Sequence, residues 1–274
     1  MLVITLVEAL QNDEQSTGTF TVRENAVLDV LGWIPATGES RRAYAAWTAT
    51  GNAPLTLADA ITTLGISPAP LALGTSTDWQ RLTGISGSQV TAWASSPGAS
   101  VTVLKGSFDR DGLARNLSER GYSRETIHGI TVWINPNPVA EVQVTNGDDL
   151  RSLNAVAIAD DRIVLGIDRT AIVASLDVAS GDGQSLADDQ VAHVAAAVPE
   201  TVGLMVVDLR DMAVSCGLAN GWDVSDFQGS SGRSVAVTWG YAADGTARTS
   251  VWTQFSDNDR AFLNLEPMRV DWTT

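Results

Sequence analysis

Two histidines, His128 and His193, and one cysteine, Cys216, are the whole supply of imidazole and thiol in the chain. A tetrahedral zinc site needs four converging ligands, usually of these types, and the two histidines stand far apart in sequence. His193 falls opposite Val191 on a helical wheel and should face solvent. His128 precedes Gly129 in a turn and reads as a surface histidine. A single cysteine excludes an intramolecular disulfide and reads as a buried, inert thiol. Ala213-Val214-Ser215 before it has the composition of an acylation box, but that box works only just behind an N-terminal signal. Nucleophile signatures fail on spacing. Gly84-Ile85-Ser86-Gly87 and Gly229-Ser230-Ser231-Gly232 lack the G-x-S-x-G elbow. The only lysine, Lys105, sits beside an expected buried strand without the S-x-x-K spacing of a Ser-Lys dyad. Gly181-Asp182-Gly183 has neither the third glycine nor the preceding strand of a dinucleotide loop. No catalytic residue, cofactor site or metal site is predicted from these patterns.

Carboxylates are the more abundant reagent: 32 Asp and Glu against 17 Lys and Arg, a formal charge of −15. Most are placed where turns and helix starts use them. Asp109-Arg110-Asp111-Gly112 resembles a fragment of a calcium loop without the later ligands or the bidentate Glu. Helix capping by Asp109 and first-turn charge at Asp111 explain it. Asp148-Asp149, Asp160-Asp161 and Asp188-Asp189 read the same way. Calcium held by oxygens from several loops is the alternative. Nine tryptophans against three tyrosines and five phenylalanines is the most unusual count. Trp239 and Trp252 are expected on one face of a hairpin near Tyr241, and most of the nine are expected in the core. Trp222, in a Gly/Ser-rich stretch with Asp223 and Asp226, is the best candidate for an exposed ligand platform. These three are the candidate ligand-binding residues. Asn116-Leu117-Ser118 has the form of a glycosylation sequon, but it falls inside an expected helix.

The elements that must position these residues sharpen after residue 100. Before it, Glu24–Leu31 predicts a short helix stopped at Gly32, and Tyr44–Thr50 a strand. Thr56–Leu64 predicts a helix, Ser67–Thr77 a loop, and Ser86–Ser95 a further short helix. Val101–Leu104 is a buried strand, and Asp109 caps a helix that puts Leu113 and Leu117 on one face. Gly121 ends that helix with Tyr122 as an apolar clamp. Ile127–Ile134 alternates as a strand. Ala155–Ala159 and Ile163–Ile167 form a tight hairpin around Asp160-Asp161. Asp168 caps a helix facing Ile172 and Leu176 inward, and Ser185 with Asp188 has the form of a capping box. Thr201–Val207 is a buried strand and Asp211–Gly232 a long loop. Val235–Tyr241 and Thr249–Phe255 pair across Asp244-Gly245. A last helix follows Asp257.

Gly106-Ser107-Phe108-Asp109, Leu113, Leu117, Gly121-Tyr122, Gly129 and Val132-Trp133 together resemble a motif of uncharacterised extracytoplasmic proteins of bacteria and archaea, many lipoprotein-like. The strand hairpin and helix of Ala155–Leu176 look similar to the same group. The resemblance spans about residues 80 to 180 and consists of fold-forming positions. It implies a cell-envelope location and no catalytic residue. The apolar start from Met1 to Val7 ends at Glu8 with no preceding cation, which is not a secretory signal, so the cytoplasm is the alternative location.

Interleaved strands and helices with two hairpins predict an α+β fold. Its sheet should be largely antiparallel, with helices on one face. Val101–Leu117 and Val251–Leu265 share a strand, a Phe, an Asp and a helix, which suggests an internal duplication. The expected organisation is a weakly patterned part over 1–99 and α+β units over 100–199 and 200–274, packed as one domain or two tight lobes. A pI near 4.3 argues against a nucleic-acid partner, and no apolar run is long enough to span a bilayer. The leading expectation is a non-enzymatic binding or assembly module with a protein or glycan partner. The alternative is a carboxylate-based glycan hydrolase with paired acids beside a tryptophan platform.

Overall fold

Residues 25–49, 77–138, 150–196, 201–208, 234–241 and 247–253 are described in this computed structural model. Helix α1 (Ala26–Leu31) starts where the Asn25 side chain accepts from Val27 N and stops at Gly32. Strand β1 (Ala43–Thr48) follows, then helix α2 (Thr77–Thr83), β2 (Val90–Ser96) and β3 (Val101–Gly106). Helix α3 (Arg110–Glu119) leads to the hairpin of β4 (Ser123–Ile127) and β5 (Ile130–Ile134). A second hairpin, β6 (Ala155–Ile158) and β7 (Arg162–Gly166), precedes α4 (Arg169–Ala179) and α5 (Gln190–Ala196). Strands β8 (Thr201–Asp208), β9 (Ser234–Tyr241) and β10 (Ala247–Thr253) complete the described elements. The fold is α+β.

Among the described residues, ten strands make one sheet in the order β10-β9-β8-β1-β2-β3-β7-β6-β5-β4, and every neighbouring pair is antiparallel. Adjacent residues of the central strands are buried on both sides. Val103 and Val132 join a cluster with Val30, Leu31, Ile172, Leu176 and Val191. Their neighbours Leu104 and Trp133 join another with Leu113 and Leu117. Because alternate residues of a strand point to opposite faces, the sheet has a helical layer on each side. Helices α1, α4 and α5 cover the first face and α3 the second, which corrects the expectation of helices on one face. Near-continuous apolar runs such as Val101–Leu104 are the pattern of two-sided burial.

Two further expectations are corrected. Ser86 and Gln89 do form a capping box, but it closes a single 3-10 turn, and Val90–Ser96 is a central strand rather than helix. Pairing with β1 and β3 on both edges outweighs the local helix signal. A register shift between Val90 and Ala92 sends both side chains inward on opposite faces. Ile127–Ile134 is not one strand. His128 (φ 49°) and Gly129 (φ 79°) turn the chain back on itself, the paired left-handed conformation of a tight hairpin turn.

Local chemistry elsewhere follows expectation. Asp109 Oδ1 accepts from Gly112 N at 2.9 Å, and Asp168 Oδ1 from Ala171 N at 2.8 Å. At the end of α3, Gly121 (φ 82°) lets Tyr122 N reach Leu117 O and Gly121 N reach Ser118 O. With Tyr122 packed against the same apolar cluster as Leu117, this is a complete Schellman closure. The Ser185–Asp188 box also closes a 3-10 turn, and α5 begins only at Gln190. The helices predicted at Thr56–Leu64 and after Asp257, the loop Asp211–Gly232, and the second copy of the suggested duplication beyond Thr253 lie outside the described residues.

Candidate functional site

The densest group of charged side chains among the described residues lies where β3 ends and β7 begins, under α1. Lys105 and Arg162 are register partners across β3 and β7, so both project to the face that α1 covers. Asp29, on α1, meets both. Its Oδ2 accepts from Lys105 Nζ at 2.6 Å and from an Arg162 terminal nitrogen. Arg162 also donates to Asp161 Oδ1 at 2.8 Å, and Lys105 Nζ stands 3.7 Å from Asp161 Oδ2. The guanidinium lies 5.2 Å from the centre of the Trp33 ring, within cation–π range. On the second face, Arg110 of α3 donates to Asp160 at 2.7 Å. The Asp160-Asp161 turn therefore fastens α3 directly, and α1 through Lys105 and Arg162.

Electrostatics sets what this group can do. Burial pushes the Asp29 carboxyl up. Hydrogen bonds and charge from Lys105 and Arg162 outweigh burial and hold it below the ordinary carboxylate range. A carboxylate held ionised can accept protons' hydrogen bonds or fix a cation, but it is poorly suited to act as a general acid. Lys105 Nζ donates to that carboxylate, so its side chain is engaged in the ion pair. The arrangement is a clasp between helix and sheet, and its exposure limits its strength. Asp29 and Lys105 side chains keep 37% and 32% of their accessible surface, so solvent screens much of the attraction.

A pH-dependent consequence follows. Asp29 has a depressed folded-state pKa, so its stabilisation is present above the unfolded carboxylate range and is lost as pH falls through the folded value. Asp29→Asn should cost about 1 kcal/mol at neutral pH after screening. Urea titrations of both proteins should show this difference shrinking in acid below the ordinary carboxylate range. A difference that stays constant through that range would assign the loss to packing instead.

The candidate ligand residues Trp222, Asp223 and Asp226 lie outside the described residues, as does Cys216. Trp47, Trp93 and Trp133 are core residues of the second face, and Trp33 is half-buried on the first. The β9–β10 register sets Trp239 against Thr249 and Trp252 against Ala236. The two positions have opposite parity in the hairpin ladder, so the register does not support the expected shared face. His128 and His193 are exposed. Among the described residues, no three of His, Cys, Asp and Glu converge as a metal site. Asp109, Asp168 and Asp188 are helix or turn caps. Sequence reasoning had one signal for the clasp, the lone lysine at the end of a buried strand. Nothing local joined it to Asp29 and Arg162.

No family model matches the chain, and no curated protein matches it. Among solved structures it is similar to crystal form I of TP0453, at 12% sequence identity and a TM-score of 0.42. That similarity covers 80% of this chain and 75% of the other.

Proposed function

We propose that this protein is a non-enzymatic binding or assembly module of the cell envelope. The observation that carries the reading is the use made of its carboxylates. Asp29 is clasped to Lys105 and Arg162 and is held ionised, the opposite displacement from that of a general acid. Asp109, Asp168 and Asp188 spend their oxygens on backbone donors. Asp160 and Glu125 are ion-paired to Arg110 and Arg169. Side chains committed in this way are structural, which supports recognition on a rigid framework over acid–base chemistry. The envelope location rests on the resemblance carried by Gly106-Ser107-Phe108-Asp109 and Gly121-Tyr122. The partner is a protein or a glycan.

The test is to incubate the purified full chain with soluble cell-wall glycan strands for days and read the products by mass spectrometry. Strands of unchanged length are the expected result. New reducing ends that appear with time, and at a rate proportional to protein concentration, would overturn the reading and establish a carboxylate-based glycan hydrolase.

A further inference from the structure

Strand β4 is the terminal strand of the described sheet, and β5 is its one ladder partner among the described residues. Sheets commonly blunt an exposed edge with proline, lysine or a bulge. β4 has none of these: Ser123-Arg124-Glu125-Thr126-Ile127 pairs with β5 in an unbroken register. Which groups it presents follows from the turn. Ile127 and Ile130 flank His128-Gly129 and face each other across the ladder. Residues that flank so tight a turn exchange both of their ladder hydrogen bonds. Bonded pairs alternate along an antiparallel ladder, so Glu125 and Ser123 also bond to β5. The N–H and C=O of Arg124 and Thr126 therefore point outward, and no backbone partner meets them among the described residues.

The two charges of β4 are used differently. Glu125 Oε1 accepts from Arg169 Nε at 2.9 Å, which ties the strand to α4 on the first face. An edge held in place in this way loses less freedom when another strand adds to it. Arg124 is exposed and makes no ion pair among the described residues. Directly opposite it, an added strand finds a favourable place for an acid. A second copy of β4 does not supply one. In an antiparallel pair, outward-bonding residues meet outward-bonding residues, so Arg124 would meet Arg124 or Thr126 of the other copy and never its Glu125. Ile127 is half-buried on the other side of the strand and offers an apolar contact to the same visitor.

We propose, resting on the binding-module reading, that the β4 edge is a strand-addition site for an extended segment of a partner protein. The segment runs antiparallel to β4, with an apolar residue against Ile127 and an acid three residues further on against Arg124. The test uses short fluorescein-labelled, threonine-rich peptides that carry one isoleucine and, three residues on, either glutamate or lysine. They are titrated against the full chain by fluorescence anisotropy. The glutamate peptide should bind about fivefold more tightly, because opposite charges favour a cross-strand pair and like charges oppose it. Amides of Arg124 and Thr126, open in the chain alone, should exchange more slowly once it binds. Thr126→Pro removes an outward N–H and no bond to β5, so it should abolish binding while the β4–β5 ladder keeps its protection. Arg124→Glu should reverse the preference between the peptides. Absence of binding, equal affinity for the two peptides, or binding that survives Thr126→Pro would overturn the strand-addition site. Protection of 123–127 that rises with protein concentration alone would give the edge to a second copy and overturn it as well. Cleavage of glycan strands would strike the binding-module reading instead and leave the peptide result as it stood.

Discussion

Trp93→Ala is expected to destabilise the protein by about 3–5 kcal/mol, the cost of deleting a fully buried large aromatic side chain. Trp93 is only 2% exposed and stands in the middle of the sheet, opposite Trp47 on β1 and Leu104 on β3. Neither neighbour can relax into the space, since each is fixed in its own ladder. Trp93→Phe separates two contributions. It keeps a ring against Trp47 and removes an indole N–H that finds no acceptor among the described residues. A buried donor without a partner costs roughly 1–3 kcal/mol, so the phenylalanine variant should lose far less than the alanine variant. Urea midpoints with unchanged m-values measure both. Equal losses would mean that the indole nitrogen contributes a bond of its own.

Gly106→Ala should cost on the order of 3 kcal/mol, the upper range for forcing atoms into a packed position. A Cβ at Gly106 would fall on the carbonyl oxygen of Gln89, which belongs to the backbone and cannot rotate away. That carbonyl accepts from Ser107 N, and Gly106 N donates to Asp161 O. Any shift therefore disturbs the end of β3, the turn before β2 and the Asp160-Asp161 turn together. The expected readout is a lower melting temperature, with loss of hydrogen-exchange protection centred on β3 and β7. Wild-type stability would show that the Gln89 turn can move at little cost.

These two sites mark what the sequence made legible. The strand–Gly–x–Phe–Asp–helix run was visible because each residue has a local task. Gly106 admits a neighbouring backbone, Phe108 packs beside α3, Asp109 caps it, and Gly121 with Tyr122 closes it. Local tasks leave local signatures. β2 is hidden for the same reason: Ser86 and Gln89 make a true helix-start device, and the strand after it is specified by partners elsewhere in the chain. The two-sided burial of the sheet is legible in consecutive apolar residues such as Val101–Leu104, which join clusters on opposite faces. The clasp was illegible because Asp29, Lys105 and Arg162 come from three separated segments. Their meeting depends on a β3–β7 register that no short stretch encodes. The candidate residues Trp222, Asp223 and Asp226 rest on sequence alone.

The position of β1 also constrains the order of assembly. β1 lies between β2 and β8, with Tyr44 set against Val206. On a ribosome, β1 emerges early and can pair with β2 soon after, but its other edge has no described partner until β8 has been made. Closing a ladder across so long a stretch of chain is slow compared with forming hairpins, and an uncovered apolar strand edge invites pairing with other chains meanwhile. Synthesis that pauses between β7 and β8 should therefore leave a nascent chain with its β4–β7 meander formed and its β1 edge open. Truncation at that point is the form in which this protein should aggregate most readily.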